Sequence, residues 1–490
     1  MRILFVTSEV YSLAKTGGLA DVSAALPSAL SDLGIDVRIL MPAYPEALAN
    51  ATDLREIARL GTVPGFGATR LLETELANGK VPVWLVDCPD LYNRDGGLYQ
   101  DSQGVEWADN AERFARLNHV AACIANGTVG RWQPDVLHAN DWHTGLLPLL
   151  IGRETGRRPA VLFTIHNLAY QGLFDASCLE RLALPAGSFH KMEFWGRISF
   201  LKAGIGGADA LTTVSPTYAS EVLTPEYGCG FDGLLRERAA DITGILNGAD
   251  YGQWDPATDP HIAQTYTARS VATKGECKRA IQNELGLSAQ ADVPLLAFMS
   301  RLVHQKMPDV LLEALPALLQ LGMQFTLVAE GEDAYQDGFR ELAARYPGQV
   351  GVRIGYDEPL AHRLVAGADL LLHPSRFEPC GLVPIYALRY GTIPIVRNSG
   401  GMADTVVDGT PEALKAGTAT GFSFEGICPD ELVTCVQRAA DLYRQPIPWR
   451  RLQQSAMRQD FSWRKSAERY AALYRALRTD VEPRVELASA

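Results

Sequence analysis

The chain has 490 residues, 47% of them apolar, which is enough for two or three domains with sizeable cores. A net charge of −12 and a pI near 5.3 argue against a nucleic-acid or anionic-membrane binder, since such proteins present a basic face to phosphate. No apolar run approaches the roughly 20 residues that cross a bilayer, and eight cysteines without a CxxC exclude a zinc knuckle or redox pair and fit a reducing cytoplasm.

In chain order, the apolar run over 2–8 predicts a buried strand and reaches Ser8 and Glu9 too soon for a signal peptide. Lys15-Thr16-Gly17-Gly18 follows as a turn, and then Leu19, Val22, Leu26, Leu30 and Leu33 recur at helical spacing. Pro27 inside that pattern predicts a kink or a late helix start. Strands are expected at 36–41, 136–140, 160–165 and 210–214, and 70–89 reads as an inserted hairpin turning at Asn78-Gly79. The stretch 241–256, rich in Gly, Asn, Asp and Pro, marks a boundary. Beyond it, strands at 293–300, 324–331, 350–356, 369–375 and 392–401 each lead towards a helical pattern. This alternation predicts an α/β protein with parallel sheets covered by helices on both faces. A last helix is expected over 462–478, with a frayed tail after it.

Ligands of open parallel sheets sit beyond the carboxyl ends of the strands. Those positions hold Lys15 to Gly18, Asp141 and His143, His166 and Asn167, Arg301 and Lys306, Glu330-Gly331, Gly355-Tyr356, Arg376 to Cys380, and Ser399-Gly400-Gly401. Taken singly, each has a plainer reading. The glycines suit turn geometry, the cations suit a solvated surface, and Asp141 suits a cap on a helix near Thr144. Glu378 suits the first turn of a helix. His119, His138, His190, His261, His304, His362 and His373 read as structural, and no HExxH or paired-histidine spacing points to a metal. Taken together, glycine amides before a helix and three cations at separate strand ends suit a diphosphate held without magnesium. There is no Asp-x-Asp pair, no phosphate-binding loop of the ATPase type and no full dinucleotide fingerprint. A sugar carried on a nucleoside diphosphate is the ligand these features fit.

The motifs "KTGGLADV" (15–22), "HANDWHTGLLP" (138–148), "FTIHNLAYQG" (163–172), "GILNGAD" (244–250), "SRLVHQK" (300–306) and "RFEPCGL" (376–382) occur in this order. Together they resemble the retaining α-glucan synthases, the family of bacterial glycogen synthase and plant starch synthase, from Arg2 to about Arg478. The resemblance implies two Rossmann-like domains facing a deep cleft, the GT-B arrangement. Their expected extents are 1–243 for the acceptor-side domain and 244–459 for the nucleotide-sugar domain. A helix over 460–480 would cross back to the first domain, leaving 481–490 as the tail. It implies transfer of glucose from ADP-glucose to the non-reducing end of an α-1,4-glucan such as glycogen, with retention, in the cytoplasm and with neither cofactor nor metal. Carried over by position, Arg301 and Lys306 would grip the diphosphate and Glu378 would sit by the transferred glucose. His166 would present its carbonyl or ring to the sugar, and Asp141 would line the same side. Lys15, Gly17, Gly18 and Asp21 would border the diphosphate or the acceptor end, and Asn247 would contact the sugar or the closing cleft. Gly355 and Tyr356 would border the adenine, and Gly400 and Gly401 would approach the phosphates.

Three positions depart from the family's usual pattern. Val383-Pro384-Ile385 replaces Thr-Gln-Leu, Met307-Pro308 follows Lys306 where a glycine is usual, and Asn140 stands where histidine is frequent. They keep two alternatives open: a glucosyltransferase of the same fold using another donor, and a weakened glucan-binding or regulatory relative. A phosphorylase would need a pyridoxal-phosphate lysine in a longer chain, and a dehydrogenase would need the missing fingerprint.

Overall fold

The computed structural model describes residues 1–61, 66–76, 79–152, 158–355 and 357–481. The expectations for Asn78, Tyr356 and the tail beyond 481 fall outside these residues. The chain divides into two compact units, one of Met1–Gly248 with the chain from Trp463 onward, the other of Ala249–Ser462.

The first unit is built on β1 (Arg2–Val6), β2 (Asp36–Pro42), β3 (Arg55–Leu60), β4 (Thr69–Glu75), β5 (Pro82–Asp87), β6 (Val136–Asn140) and β7 (Ala160–Ile165). A small sheet of β8 (Leu173–Phe174), β9 (Glu193–Phe194) and β10 (Arg197–Ser199) follows, and then β11 (Ala210–Thr213) and β12 (Ile242–Gly244) complete the main sheet. Among the described residues the main sheet has the order β12-β11-β7-β6-β1-β2-β5-β4-β3. It is parallel from β12 to β5, and β4 and β3 form an antiparallel edge. Ile3, Leu4, Phe5 and Val6 are all fully buried, as a central strand covered on both faces requires. Strand order reverses at β1, which has β2 on one side and β6 on the other. The carboxyl ends of β1 and β6 therefore flank a topological switch point.

The helix after β1 runs from Gly18 to Asp32, straight through Pro27, so the late start does not occur. Pro27 removes one intrahelical hydrogen bond, but Leu19, Val22, Leu26 and Leu30 still bury a continuous face. The last helix, Trp463–Val481, packs on this one. Its Tyr474 hydroxyl bonds His138 Nδ1 at 2.8 Å, while Thr164 Oγ1 meets Nε2 at 2.6 Å. His138 is thus a fully paired core side chain.

The second unit has β13 (Leu295–Leu302), β14 (Gln324–Gly331), β15 (Val350–Ile354), β16 (Leu370–His373), β17 (Ile393–Arg397) and β18 (Phe422–Phe424). Its order is β15-β14-β13-β16-β17-β18, all parallel, with the switch point between β13 and β16. Leu296, Phe298, Leu327, Leu370 and Ile395 form the sheet's contribution to one core, covered by the helices Pro308–Gln320 and Pro429–Tyr443. The strand expected over 392–401 stops at Arg397, and Gly401 opens a short helix. The strand expected over 2–8 stops at Val6. The short strands β12 and β18 and the edge strand β3 have no counterpart in the sequence-based reading.

Candidate functional site

Glu9 organises the switch point of the first unit. It is buried beyond the end of β1, and its Oε2 accepts the backbone N–H of Thr16 at 2.5 Å and of Gly17 at 3.1 Å. The Tyr99 hydroxyl donates to Oε1 at 3.2 Å. The Gly17 amide was expected to face a phosphate; here it serves Glu9, because a buried N–H must find an acceptor. Burial outweighs these donors and pushes the Glu9 carboxyl up to about 7. Lys15 Nζ pairs with Asp21 Oδ1 at 2.9 Å, both side chains part-exposed, so Asp21 is the lysine's counter-ion.

Asp141 follows β6 with φ 56° and ψ −179°, a region that non-glycine residues rarely occupy. Its side chain caps nothing in the helical turn Trp142–Thr144. Instead, Oδ1 accepts the His166 N–H at 2.8 Å and the Asn167 N–H at 3.4 Å, which fixes the loop after β7. Burial pushes the Asp141 carboxyl up to about 7, and the neighbouring charge of Glu9 adds to it. Asn140 Nδ2 donates to Val6 O at 3.0 Å, tying β6 to β1. Its Oδ1 must then accept, so His166 Nε2 carries the proton of their 3.0 Å bond and Nδ1 is the ring's acceptor. Burial pushes His166 down to about 3, which keeps the imidazole neutral. The structure therefore joins Asp141 to the His166 backbone and couples Asp141 to Glu9. Asn247, beyond β12, is 5% exposed, and its Oδ1 has no hydrogen-bond partner.

At the switch point of the second unit, Lys306 Nζ, His373 Nε2 at 2.9 Å and Ser375 Oγ at 3.1 Å all bond Glu378 Oε2. Glu378 lies ahead of the helix Leu382–Arg389, so it is not a first-turn residue. Backbone and side-chain ties align the two loops. The Arg376 N–H donates to Gln305 O at 2.9 Å, Gln305 Nε2 donates to Phe377 O at 3.0 Å, and Arg376 Nη2 pairs with Asp309 at 2.7 Å. Burial alone would raise the Glu378 carboxyl, but the Lys306 ammonium and the His373 bond hold it well below the usual range. Burial and the same ammonium lower His373, whose buried Nδ1 has no partner. His373 is thus a neutral donor to Glu378 rather than the structural residue expected. Arg301 stands exposed near the end of β13, in register with Glu330.

Met307 is fully buried with φ 54° and ψ 41°, the left-handed region where glycine is cheap. Pro384 sits in the first turn of Leu382–Arg389, where a missing N–H costs the helix nothing. Gly355 has φ +110° and donates its N–H to Ala329 O at 2.9 Å. Gly400 has φ 46°, and Gly401 donates to Glu378 O at 3.0 Å. A Cβ on Gly401 would lie 2.2 Å from Cys380 O. Gly401 therefore allows two loop backbones to touch, and its amide, expected near phosphate, is already used. Sequence reasoning missed Glu9, His373 and Ser375, and singled out Asn140 only as a departure from the family pattern. All four lie in, end or follow strands that were identified, which was the available signal. Among the described residues no three His, Cys, Asp or Glu side chains gather as a metal site, and no helix is long and apolar enough to cross a membrane.

Residues 2–237 match the starch synthase catalytic domain family, and 286–441 match glycosyl transferases group 1. The glycogen synthase of Paramagnetospirillum magneticum is 50% identical over 97% of this chain and 98% of its own length. Glycogen synthase 2 of Nitrosococcus oceani is 49% identical, covering 97% of each chain. The catalytic domain of starch synthase IV from Arabidopsis thaliana, solved bound to ADP and acarbose, superposes with a TM-score of 0.88 at 31% identity, covering 97% of this chain and 99% of that one.

Proposed function

The chain belongs to the glycogen synthase family, and on that premise we propose that it moves glucose from ADP-glucose to the non-reducing end of an α-1,4-glucan, with retention of configuration. It is a hexosyltransferase. The observation that carries the reading is identity near 50% with glycogen synthases over 97% of the chain. ADP as the nucleotide is favoured by the starch synthase IV structure, which holds it.

The roles divide between the units. Breaking the glucose–phosphate bond builds negative charge on the departing diphosphate and positive charge on the anomeric carbon. Arg301 and Lys306 serve the first, each contributing about 2–4 kcal/mol when pre-aimed and dry. Glu378, held ionised, keeps a fixed negative charge for the second. In the first unit, the neutral His166 imidazole and the Asp141 carboxyl serve the transferred sugar, and Lys15 with Asp21 borders the acceptor end. Asn247 offers its unpartnered Oδ1 to a sugar hydroxyl. A leaving-phosphate oxygen takes the acceptor's proton during same-face attack. No divalent cation enters these steps. Eight free thiols suit a reducing compartment such as the cytoplasm.

The test offers ADP-glucose or UDP-glucose with glycogen, in EDTA, and measures diphosphate released and glucose incorporated. Incorporation from ADP-glucose is expected. Incorporation from UDP-glucose alone would reassign the donor. No incorporation from either, with glycogen still bound, would make the chain a glucan-binding protein.

A further inference from the structure

The small sheet of the first unit carries a feature that folding alone does not explain. β9 and β10 are joined by two residues, Trp195 and Gly196, with Phe194 opposite Arg197. Both turn residues have positive φ, 53° and 79°, as in a type I′ hairpin. Asn, Asp or Gly is the usual first residue of such a turn, and a bulky side chain there is strained. Trp195 nevertheless occupies it and leaves 85% of its surface in solvent. The turn is held rather than loose: the Gly196 N–H donates to Glu193 Oε1 at 2.9 Å, and Lys202 Nζ bonds Glu193 O.

This ring is tied to the His166 loop through a short chain of contacts. A Cβ on Gly230 would lie 3.9 Å from Trp195 Nε1, so the nitrogen edge of the indole passes close to Gly230. Cys229, beside it, also has a positive φ of 49° and accepts from Gln171 Nε2 at 2.9 Å. Tyr170, 45% exposed, donates its N–H to Asn167 O at 3.1 Å, one residue from His166. Two strained turns and two exposed aromatic rings thus lie along one path leading away from the proposed sugar site.

We propose that Trp195 is a stacking platform for the part of the α-glucan acceptor that trails behind the reacting end. A pyranose ring presents a face of C–H groups that fits flat on the exposed face of an indole. The platform rests on the glucan-transfer reading and adds an acceptor contact to it. An exposed, rigid aromatic suits a long, repetitive, uncharged polymer, because any glucose unit of the chain can occupy it.

Trp195→Asn is the informative variant, since asparagine suits the turn and removes the ring. Full-length wild type, Trp195→Asn and Trp195→Phe are compared for kcat and KM with glycogen and with maltotriose, and for retardation in glycogen-containing native gels. Trp195→Asn should raise KM for glycogen about fivefold or more, leave kcat within about twofold, and leave KM for maltotriose nearly unchanged. Trp195→Phe should fall between the two. An unchanged KM and unchanged retardation would overturn the platform. A shift in sedimentation on substitution, with glycogen KM unchanged, would make the ring a contact between copies and overturn it as well. If wild type transferred no glucose, loss of retardation in Trp195→Asn would still support the platform while the transferase reading failed.

Discussion

Glu9 and Asp141 in the first unit and Glu378 in the second occupy comparable places. All three are buried, beyond the carboxyl ends of strands beside a switch point. Their acidities nevertheless diverge. Glu9 and Asp141 receive mostly backbone N–H groups and are pushed up to about 7. Glu378 meets an ammonium, an imidazole and a hydroxyl, and is held well below the usual range. Desolvation is the largest influence at each of the three. The kind of donor decides the outcome: neutral dipoles do not overcome burial, and a full positive charge does. The second unit thus keeps a permanent ion pair suited to a charged leaving group. The first keeps a neutral imidazole and two carboxyls that titrate near pH 7, with no full positive charge beside them, suited to an uncharged sugar.

Removing the ammonium should break this contrast most severely. Lys306→Ala should cut kcat/KM for ADP-glucose by about two orders of magnitude or more. It should also lower stability by about 3–5 kcal/mol, because it strands a buried carboxylate. Urea melts check the second effect. The double variant Lys306→Ala/Glu378→Gln should regain much of the stability and none of the activity. Glu378→Ala should lower kcat more than donor affinity, and the opposite split would make it a ground-state binder.

A smaller change sharpens the role of the hydrogen bonds. His373→Ala removes one neutral donor from Oε2 and leaves the lysine, so kcat/KM should fall about tenfold. An effect equal to that of Lys306→Ala would mean that the imidazole, not the ammonium, sets the carboxylate.

The first unit makes the reverse prediction with pH. A carboxyl whose folded pKa is raised binds protons more tightly in the folded state, so stability falls as pH rises from its unfolded value to its folded one. For Asp141 that window runs from 3.8 to about 7. Asp141→Asn keeps an oxygen for the His166 and Asn167 N–H groups and removes the titration. Its melting temperature should therefore gain on wild type across that window and level off above it, as scanning calorimetry would show. Glu378→Gln should behave oppositely, because a depressed carboxyl stabilises above its unfolded pKa of 4.5 and loses that contribution as pH falls. Parallel trends in the two variants would remove the contrast.

The smallest expected effect concerns Met307. Met307→Gly relieves a left-handed residue by about 1–2 kcal/mol but empties a buried site at about 2–5 kcal/mol. The net loss in denaturant melts should therefore lie between about 0 and 4 kcal/mol, with methionine the more stable residue.

Much of this arrangement was legible in the sequence, for a definite reason. Parallel strands are buried on both faces, so 36–41, 136–140 and 160–165 stand out as apolar runs, and the polar residues just after them must lie at one sheet edge. That logic picked out Asp141, His166, Lys306 and Glu378. It did not show which of them touch. Lys306 and Glu378 are 72 positions apart and meet because β13 and β16 are neighbours, a fact of topology that strand spacing does not contain. Glu9 was passed over because its carboxylate serves the backbone of its own loop, and the same bond takes up the Gly17 amide. His373 read as structural because it closes an apolar strand; only its distance to Glu378 gives it a role. The resemblance to α-glucan synthases supplied family and chemistry, which periodicity alone would not have reached.

The most direct test is the affinity of ADP, measured by calorimetry in EDTA for wild type and Lys306→Ala. The account predicts that wild type binds ADP without any divalent cation and that the variant binds at least about tenfold more weakly. Equal affinities, or wild-type binding that appears only after magnesium is added, would contradict it.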